Sequence, residues 1–162
     1  AQLDRFLMFI RVEYPTAEDE VEILKRTTGN IKTVLEHILN NEDILSLQHL
    51  VRSVDASDAL LTYISQLVRN TRPKTTECST VNDFVRWGAG PRAGQALVLC
   101  AKAKALLSGR YAVTVEDINV VTPAVLRHRI LLNFQAEAQS ISTDDVVSAL
   151  LSDVKQPASP LA

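Results

Sequence analysis

Apolar residues recur at helical spacing in one segment after another, and this periodicity limits the chain to a mainly helical fold. After Asp43 the apolar positions are Ile44, Leu47, Leu50, Val51 and Val54, which follow the 3.6-residue period of an amphipathic helix. Aromatic residues make up only 5% of the chain, while Leu, Ala and Val dominate an apolar share of 46%. This balance favours a core of packed helices over a sheet of aromatic and β-branched strands.

Several helix starts are visible as capping boxes. In this motif the side chain of a Ser or Thr bonds the backbone three residues later, where an acidic side chain bonds back. Thr16, Thr114 and Ser142 are each followed three residues later by an aspartate. We therefore predict that a helix begins at each of these positions.

Proline and glycine mark further boundaries. Pro91 predicts the start of a central, alanine-rich helix, and Gly109 predicts its end. Residues 31–39 are a helix candidate on their apolar spacing. The stretch from Pro73 to Asp83 is polar and unpatterned, and we expect it to form the longest loop in the chain.

The first fifteen residues differ from the rest. Residues 6–15 are β-prone, lack a helix-start signal and end in a proline, so we predict one buried strand there. A lone strand cannot satisfy its own backbone groups, and we expect its sheet to lie outside this chain. The predicted organisation is thus a strand segment over 1–15, a helical domain over 16–154 and a frayed tail over 155–162.

The charge pattern excludes several classes of function. The formal net charge is −2, which argues against a general nucleic-acid or anionic-membrane binder. The first residues include Asp4 and Arg5 but no cleavage signal, and no apolar run approaches the ~20 residues of a transmembrane helix. We expect a cytoplasmic protein that has no nucleic-acid partner and no transmembrane segment.

The cysteines and histidines give little support for a metal site. Cys78 and Cys100 do not form a Cys-x-x-Cys pair, and the three histidines share no metal-ligand spacing with them. We expect reduced cysteines and no bound metal.

The segment GAGPRAG, residues 88–94, is the strongest candidate for a functional site. It places three of the five glycines around one Pro-Arg pair, directly before the central helix. Glycine allows close approach of the backbone to a ligand, and the first turn of a helix has free N–H groups, so Arg92 could contact an anion. The spacing does not fit a dinucleotide fingerprint, and no phosphate-binding loop is present. On this chemistry alone, an ordinary solvated arginine remains the alternative.

Two other basic positions are equally ambiguous. Arg5 either pairs with Asp4 or projects toward a neighbouring molecule. Arg127, His128 and Arg129 form a short basic run, but the two arginines would point about 200° apart on a regular helix. We predict a solvated face for this run. No catalytic triad or carboxylate pair suggests catalysis contained within the chain.

Taken together and in order, six segments resemble the C-terminal part of a MoxR-type AAA+ ATPase: AQLDRF, IRVEYP, LVRNTRP, VRWGAGPRAGQAL, AKAKALLSGR and VTPAVLRHRILLNF. The resemblance extends from Ala1 to about Leu151. It implies that residues 6–12 are the last strand of the αβ nucleotide-binding core and that the following helices form the lid over the nucleotide. The expected fold class is therefore mainly α, a helical AAA+ lid bundle preceded by one strand of a truncated core.

The resemblance also implies roles for single residues. Arg92 matches the family's sensor-2 arginine, which reaches the γ-phosphate of ATP in its own subunit, and Gly90 and Pro91 belong to the same nucleotide-contacting loop. Arg5 matches the arginine finger that is offered to the neighbouring subunit. Guanidinium suits both roles because it is permanently charged and bidentate toward phosphate. The implied cofactor is ATP or ADP, with Mg²⁺ held by the missing core.

The family further implies a homo-oligomeric ring that uses ATP hydrolysis to remodel or activate client proteins, often with a partner that contains a von Willebrand factor A-type domain. Its phosphate-binding loop, Mg²⁺-binding motif and sensor 1 are absent from this chain, so we expect no ATP hydrolysis by the chain alone. Gly90 and Glu13 stand where the family usually has a small polar residue and a glycine, so the loop and the strand exit should differ slightly. The alternative function is a stand-alone helical protein-interaction module without nucleotide chemistry.

Overall fold

A computed structural model describes residues 2–30 and 35–158 of the chain. Within these ranges it has eight α-helices, two short strands and a 3-10 helix over Leu3–Arg5. The helices are α1 (Ala17–Thr28), α2 (Asn41–Ser53), α3 (Asp58–Asn70), α4 (Ser79–Phe84), α5 (Pro91–Leu107), α6 (Val115–Leu126), α7 (Phe134–Ala138) and α8 (Thr143–Asp153). The strands are β1 (Val85–Trp87) and β2 (Leu131–Leu132), which pair antiparallel. The predicted mainly helical fold is confirmed.

The three predicted capping boxes are present. Thr16, Thr114 and Ser142 each accept a hydrogen bond from the third helical N–H, and the aspartate there bonds back to the cap. A fourth box, from Asn40 to Asp43, starts α2. These reciprocal bonds satisfy N–H groups that a helix end would otherwise leave unpaired.

Two predictions about the connections are wrong. Residues 31–34 of the helix candidate at 31–39 lie outside the described ranges, and residues 35–39 are exposed and not helical, because no packing supports a helix there. The predicted loop over 73–83 contains α4 from Ser79 onward. Val81 of this helix is fully buried, and burial of one apolar side chain in the core favours a short helix that local pattern does not predict.

The strand predicted near the N-terminus is not formed. Residues 8–16 have no regular secondary structure, and the backbone N–H of Phe9 donates to the carbonyl of Ala124 at 2.8 Å rather than to a neighbouring strand. A strand needs a paired ladder to satisfy its backbone groups, and the described part of the chain supplies none for this segment.

The core is built around α5, which packs against α2, α3 and α6. Alanines at 93, 96, 101 and 105 let the neighbouring helices approach closely, and Leu97 fills the centre with no exposed surface. Every buried residue of the described ranges lies between Val54 and Val154. No described helix combines the length and hydrophobicity that a membrane crossing requires.

Candidate functional site

The loop before α5 is held against the end of α3. The backbone N–H of Ala89 donates to the buried hydroxyl of Thr71 at 2.8 Å, and the Arg72 side chain donates to the carbonyl of Ala89 at 3.1 Å. A Cβ added to Gly88 would lie 2.4 Å from the carbonyl oxygen of Thr71. Gly88 is therefore required by close backbone approach, and the contact fixes the point from which α5 begins.

Arg92 lies in the first turn of α5. Gly90 caps this helix without a side-chain hydrogen bond, and Pro91 is the first helical residue. A cation at this end opposes the helix dipole, whereas an anion would be favoured by it. The Arg92 side chain is 60% exposed, and its one ion pair within the described residues is a long contact to Asp4, with Nη1 and Oδ2 3.9 Å apart.

Asp4 is itself held by a second arginine. Its Oδ1 accepts a hydrogen bond from Nε of Arg129 at 3.1 Å, and only 3% of the Arg129 side chain is exposed. The Arg129 guanidinium also donates to the backbone carbonyls of Asp4, Phe6, Leu7 and Val125. A buried guanidinium needs such acceptors, because an unpaired charge in the interior is costly.

The neighbours of Arg129 bind the same N-terminal segment. Arg127 donates to Asp144 at 2.8 Å and to the carbonyl of Phe9 at 3.1 Å, while Nε2 of His128 lies 3.1 Å from the carbonyl of Phe6. Burial lowers the pKa of His128, so its neutral form is favoured.

The predicted solvated face at 127–129 is therefore wrong. The helix ends at Leu126, and both arginines donate hydrogen bonds to backbone carbonyls of the N-terminal segment. Asp4 lies 125 positions away from Arg129, and no local pattern could indicate that pairing.

Arg5 lies apart from this cluster. It is the last residue of the 3-10 helix, is exposed, and forms no ion pair with any described residue. The structural alternative, an ion pair between Asp4 and Arg5, is wrong because Asp4 faces Arg92 and Arg129 instead. An unpaired guanidinium on the surface is available to another molecule.

A cavity of about 420 Å³ opens between α3 and α5 beside Pro91. Its walls are mostly apolar and include Ile64 and Val68 from α3 and Val98 from α5, and the guanidinium-bearing residues Arg69 and Arg72 are also part of its lining. The cavity thus brings an apolar surface next to the turn that carries Arg92. Apolar walls with a few polar groups are typical of small-ligand sites.

The cysteines belong to the interior. Cys78 and Cys100 are buried and unpaired with each other, and burial raises the pKa of both thiols. Among the residues that the structure describes, no three His, Cys, Asp or Glu side chains are grouped closely enough to hold a metal ion.

Comparison with known proteins defines the class of this fold. Residues 79–150 match the family model described as the AAA lid domain. A crystal structure of a candidate ATPase from Cytophaga hutchinsonii superposes with a TM-score of 0.87 at 34% identity, over 97% of this chain and 48% of that one. The matched residues, which include Arg92, thus have the fold of an AAA lid domain.

Sequence relatives define the type more narrowly. The chain is 37% identical over 158 residues to "Chaperone MoxR1" of Mycobacterium tuberculosis, covering 97% of this chain and 42% of that protein. It is 36% identical over 145 residues to "Protein MoxR" of Paracoccus denitrificans, covering 82% and 43%. The chain is therefore similar, over most of its length, to a portion of MoxR proteins, and it spans less than half the length of these relatives.

Proposed function

We propose that this chain is the lid of a MoxR-type ATPase and that Arg92 contacts the γ-phosphate of ATP bound in the same subunit. The observation that carries the proposal is the position of Arg92, an exposed guanidinium in the first turn of a helix that has no side-chain cap. Free N–H groups and the helix dipole favour an anion there, and the guanidinium adds two hydrogen-bond donors. In this role Arg92 is the sensor-2 residue, with Gly90 and Pro91 in the contacting loop.

The surrounding groups suit a nucleotide. Arg92 and Arg129 carry two positive charges against the single carboxylate of Asp4, which leaves excess positive charge for phosphate. The apolar cavity beside Pro91 is of a size and character that a planar base can enter. Mg²⁺ would be held by the αβ core of the full-length protein and would neutralise developing charge on the phosphates.

Arg5 is proposed as the arginine finger. Its exposure and lack of an ion pair within the described ranges leave it available to a neighbouring subunit of a homo-oligomeric ring. In this proposal, hydrolysis drives remodelling or activation of client proteins in the cytoplasm, with a partner that carries a von Willebrand factor A-type domain. The isolated chain should not hydrolyse ATP.

The test is steady-state ATP hydrolysis by the full-length protein with Arg92→Ala, with oligomer size measured in parallel. An arginine that stabilises the transferred phosphate, as the arginine finger of GTPases does, contributes ~10³ to 10⁵ in rate. Arg92 is proposed to contact the same phosphate, so we expect turnover to fall by at least about tenfold with the oligomer intact. Arg86→Ala is the matched control, because Arg86 is also exposed and forms no ion pair within the described residues. Unchanged turnover in Arg92→Ala would remove Arg92 from the site.

The finger role is tested by mixing subunits. Arg5→Ala alone should be nearly inactive, as should Arg92→Ala. In mixed oligomers a subunit with Arg5→Ala keeps its own Arg92 and receives Arg5 from an Arg92→Ala neighbour, so part of the activity should return. Failure of any mixture to regain activity, despite mixed assembly, would contradict an action of Arg5 between subunits.

A further inference from the structure

Asp4 lies between two arginines that are held very differently. Through Oδ1 it accepts a hydrogen bond from Arg129 at 3.1 Å, and through Oδ2 it faces Arg92 at 3.9 Å. The first contact has hydrogen-bond geometry, whereas the second is too long for a hydrogen bond and is only a charge contact. The carboxylate is one-third exposed.

Arg129 is the fixed partner. Its side chain is 3% exposed, and its guanidinium donates to four backbone carbonyls in addition to the Asp4 carboxylate. Departure of this side chain would leave those carbonyls and a buried charge without partners, which is costly. Arg129 therefore fixes the position of the Asp4 carboxylate.

Arg92 is the movable partner. Its side chain is 60% exposed and has no hydrogen bond to a described residue. Exposed ion pairs are weak because water screens them and because long side chains lose freedom when paired. A phosphate group binds guanidinium through two parallel hydrogen bonds and carries more charge than a carboxylate. A phosphate placed near Arg92 would therefore replace Asp4 as the partner of this guanidinium.

We propose that Asp4 is a built-in competitor of the nucleotide, which holds Arg92 while no γ-phosphate is bound and releases it when the phosphate arrives. The inference rests on the proposed contact between Arg92 and the γ-phosphate and adds a regulatory residue to that site. Asp4 acts through Arg92 and is a positioning residue. Arg129 binds the 3-10 helix of Asp4 to the lid. Asp4 therefore stays beside Arg92 when the lid moves.

The decisive variant is Asp4→Asn in the full-length protein. Asparagine keeps an oxygen that can accept the hydrogen bond from Arg129, but it removes the negative charge that attracts Arg92. Dissociation constants are measured for ADP and for an ATP analogue with a nitrogen bridge between its β- and γ-phosphates. An exposed ion pair contributes little, so we expect the analogue to bind about two- to fivefold more tightly and ADP to bind unchanged.

A double-mutant cycle separates this effect from structural damage. Asp4→Asn also removes the carboxylate partner of Arg129. This structural loss is the same in the wild-type and Arg92→Ala backgrounds, so it cancels when the effect of Asp4→Asn is compared between them. If Asp4 competes for Arg92, the tighter binding disappears in the Arg92→Ala background. Thermal melting of all four proteins checks that the lid remains folded.

The outcomes distinguish the two proposals. If Arg92→Ala leaves analogue binding and turnover unchanged, the proposed function fails. If Arg92→Ala weakens the analogue but Asp4→Asn does not tighten it, tightens ADP equally, or acts equally in both backgrounds, only the competitor role of Asp4 fails. Weaker analogue binding in Asp4→Asn would show that Asp4 assists Arg92, which also overturns competition.

Discussion

At the scale of single residues, the loop before α5 depends on one glycine more than on the others. At Gly88 an added Cβ would lie 2.4 Å from the Thr71 carbonyl oxygen, whereas at Gly94 the nearest atom is a methyl group of Ile64 at 3.8 Å. The first distance is a backbone clash and the second is ordinary contact. The same change from glycine to alanine should therefore have opposite effects at the two positions.

We predict that Gly88→Ala lowers the free energy of unfolding by about 1–3 kcal/mol, the usual cost of forcing an extra carbon into a packed site. Gly94→Ala should raise it by about 0.5–1 kcal/mol, because alanine is favoured over glycine inside a helix. Urea unfolding of the two variants and the wild type gives both values. Equal stability of Gly88→Ala and wild type would mean that the loop can move away from Thr71 without cost.

At the scale of elements, the helix starts share one motif but differ in what surrounds it. The Asp117 carboxylate of α6 is 2% exposed and accepts two hydrogen bonds from Arg110, at 2.6 and 2.7 Å, in addition to those from Thr114. Within the described residues, the carboxylate of Asp145 of α8 accepts hydrogen bonds from Ser142 alone. Because Arg110 belongs to the connection after α5, the box at Asp117 therefore also joins that connection to the start of α6.

We predict that Asp117→Asn costs roughly 1–3 kcal/mol of stability, as expected for loss of charged hydrogen bonds at a buried acceptor, and that Asp145→Asn costs less. Burial alone would raise the pKa of Asp117, but the hydrogen bonds from Arg110 and Thr114 outweigh it and lower the pKa. Ionised Asp117 therefore stabilises the fold at pH values above 3.8, the ordinary pKa of aspartate. This contribution is lost as the pH falls through the lowered pKa of the folded protein.

Unfolding measured across this acidic range should show a shallower loss for Asp117→Asn than for the wild type, because asparagine does not titrate. Thermal melting at neutral pH ranks the two variants against each other. A larger destabilisation from Asp145→Asn than from Asp117→Asn would contradict the importance of the Arg110 bonds.

The sequence predicted contacts between residues that are close along the chain, but not contacts between residues that are far apart along it. The pair of Thr114 and Asp117 is local, so its pattern predicted the helix start, and the Gly-Pro-Arg order placed Arg92 at the start of α5 for the same reason. Arg129 and Asp4 are joined only by the tertiary fold. The burial of that arginine and the second partner of Asp4 therefore lay beyond sequence patterns.

At the scale of the whole molecule, the stabilising contacts are unevenly distributed. Residues 54–154 contain every buried side chain of the described ranges, whereas α1 and α2 bury none of their residues. Apolar side chains on these two helices remain exposed, among them Leu24 at 60% and Leu45 at 56%. Helices that bury little surface open locally at low free-energy cost, because most helical stability in proteins comes from packing.

Limited digestion with trypsin tests this difference on matched sites. Arg26 and Arg69 are both exposed arginines within helices, but Arg26 belongs to α1 while Arg69 belongs to α3, which buries five side chains. We predict that the native chain is cleaved after Arg26 at least about tenfold faster than after Arg69. Cleavage requires local opening of the helix, and each ~1.4 kcal/mol of opening free energy changes the population of the opened state tenfold. Mass spectrometry of a digestion time course should show early loss of α1 and a persistent fragment containing residues 54–154. Comparable rates at both arginines would mean that α1 is as firmly held as the helices around α5, and the same comparison in the full-length protein would reveal any additional packing on α1 there.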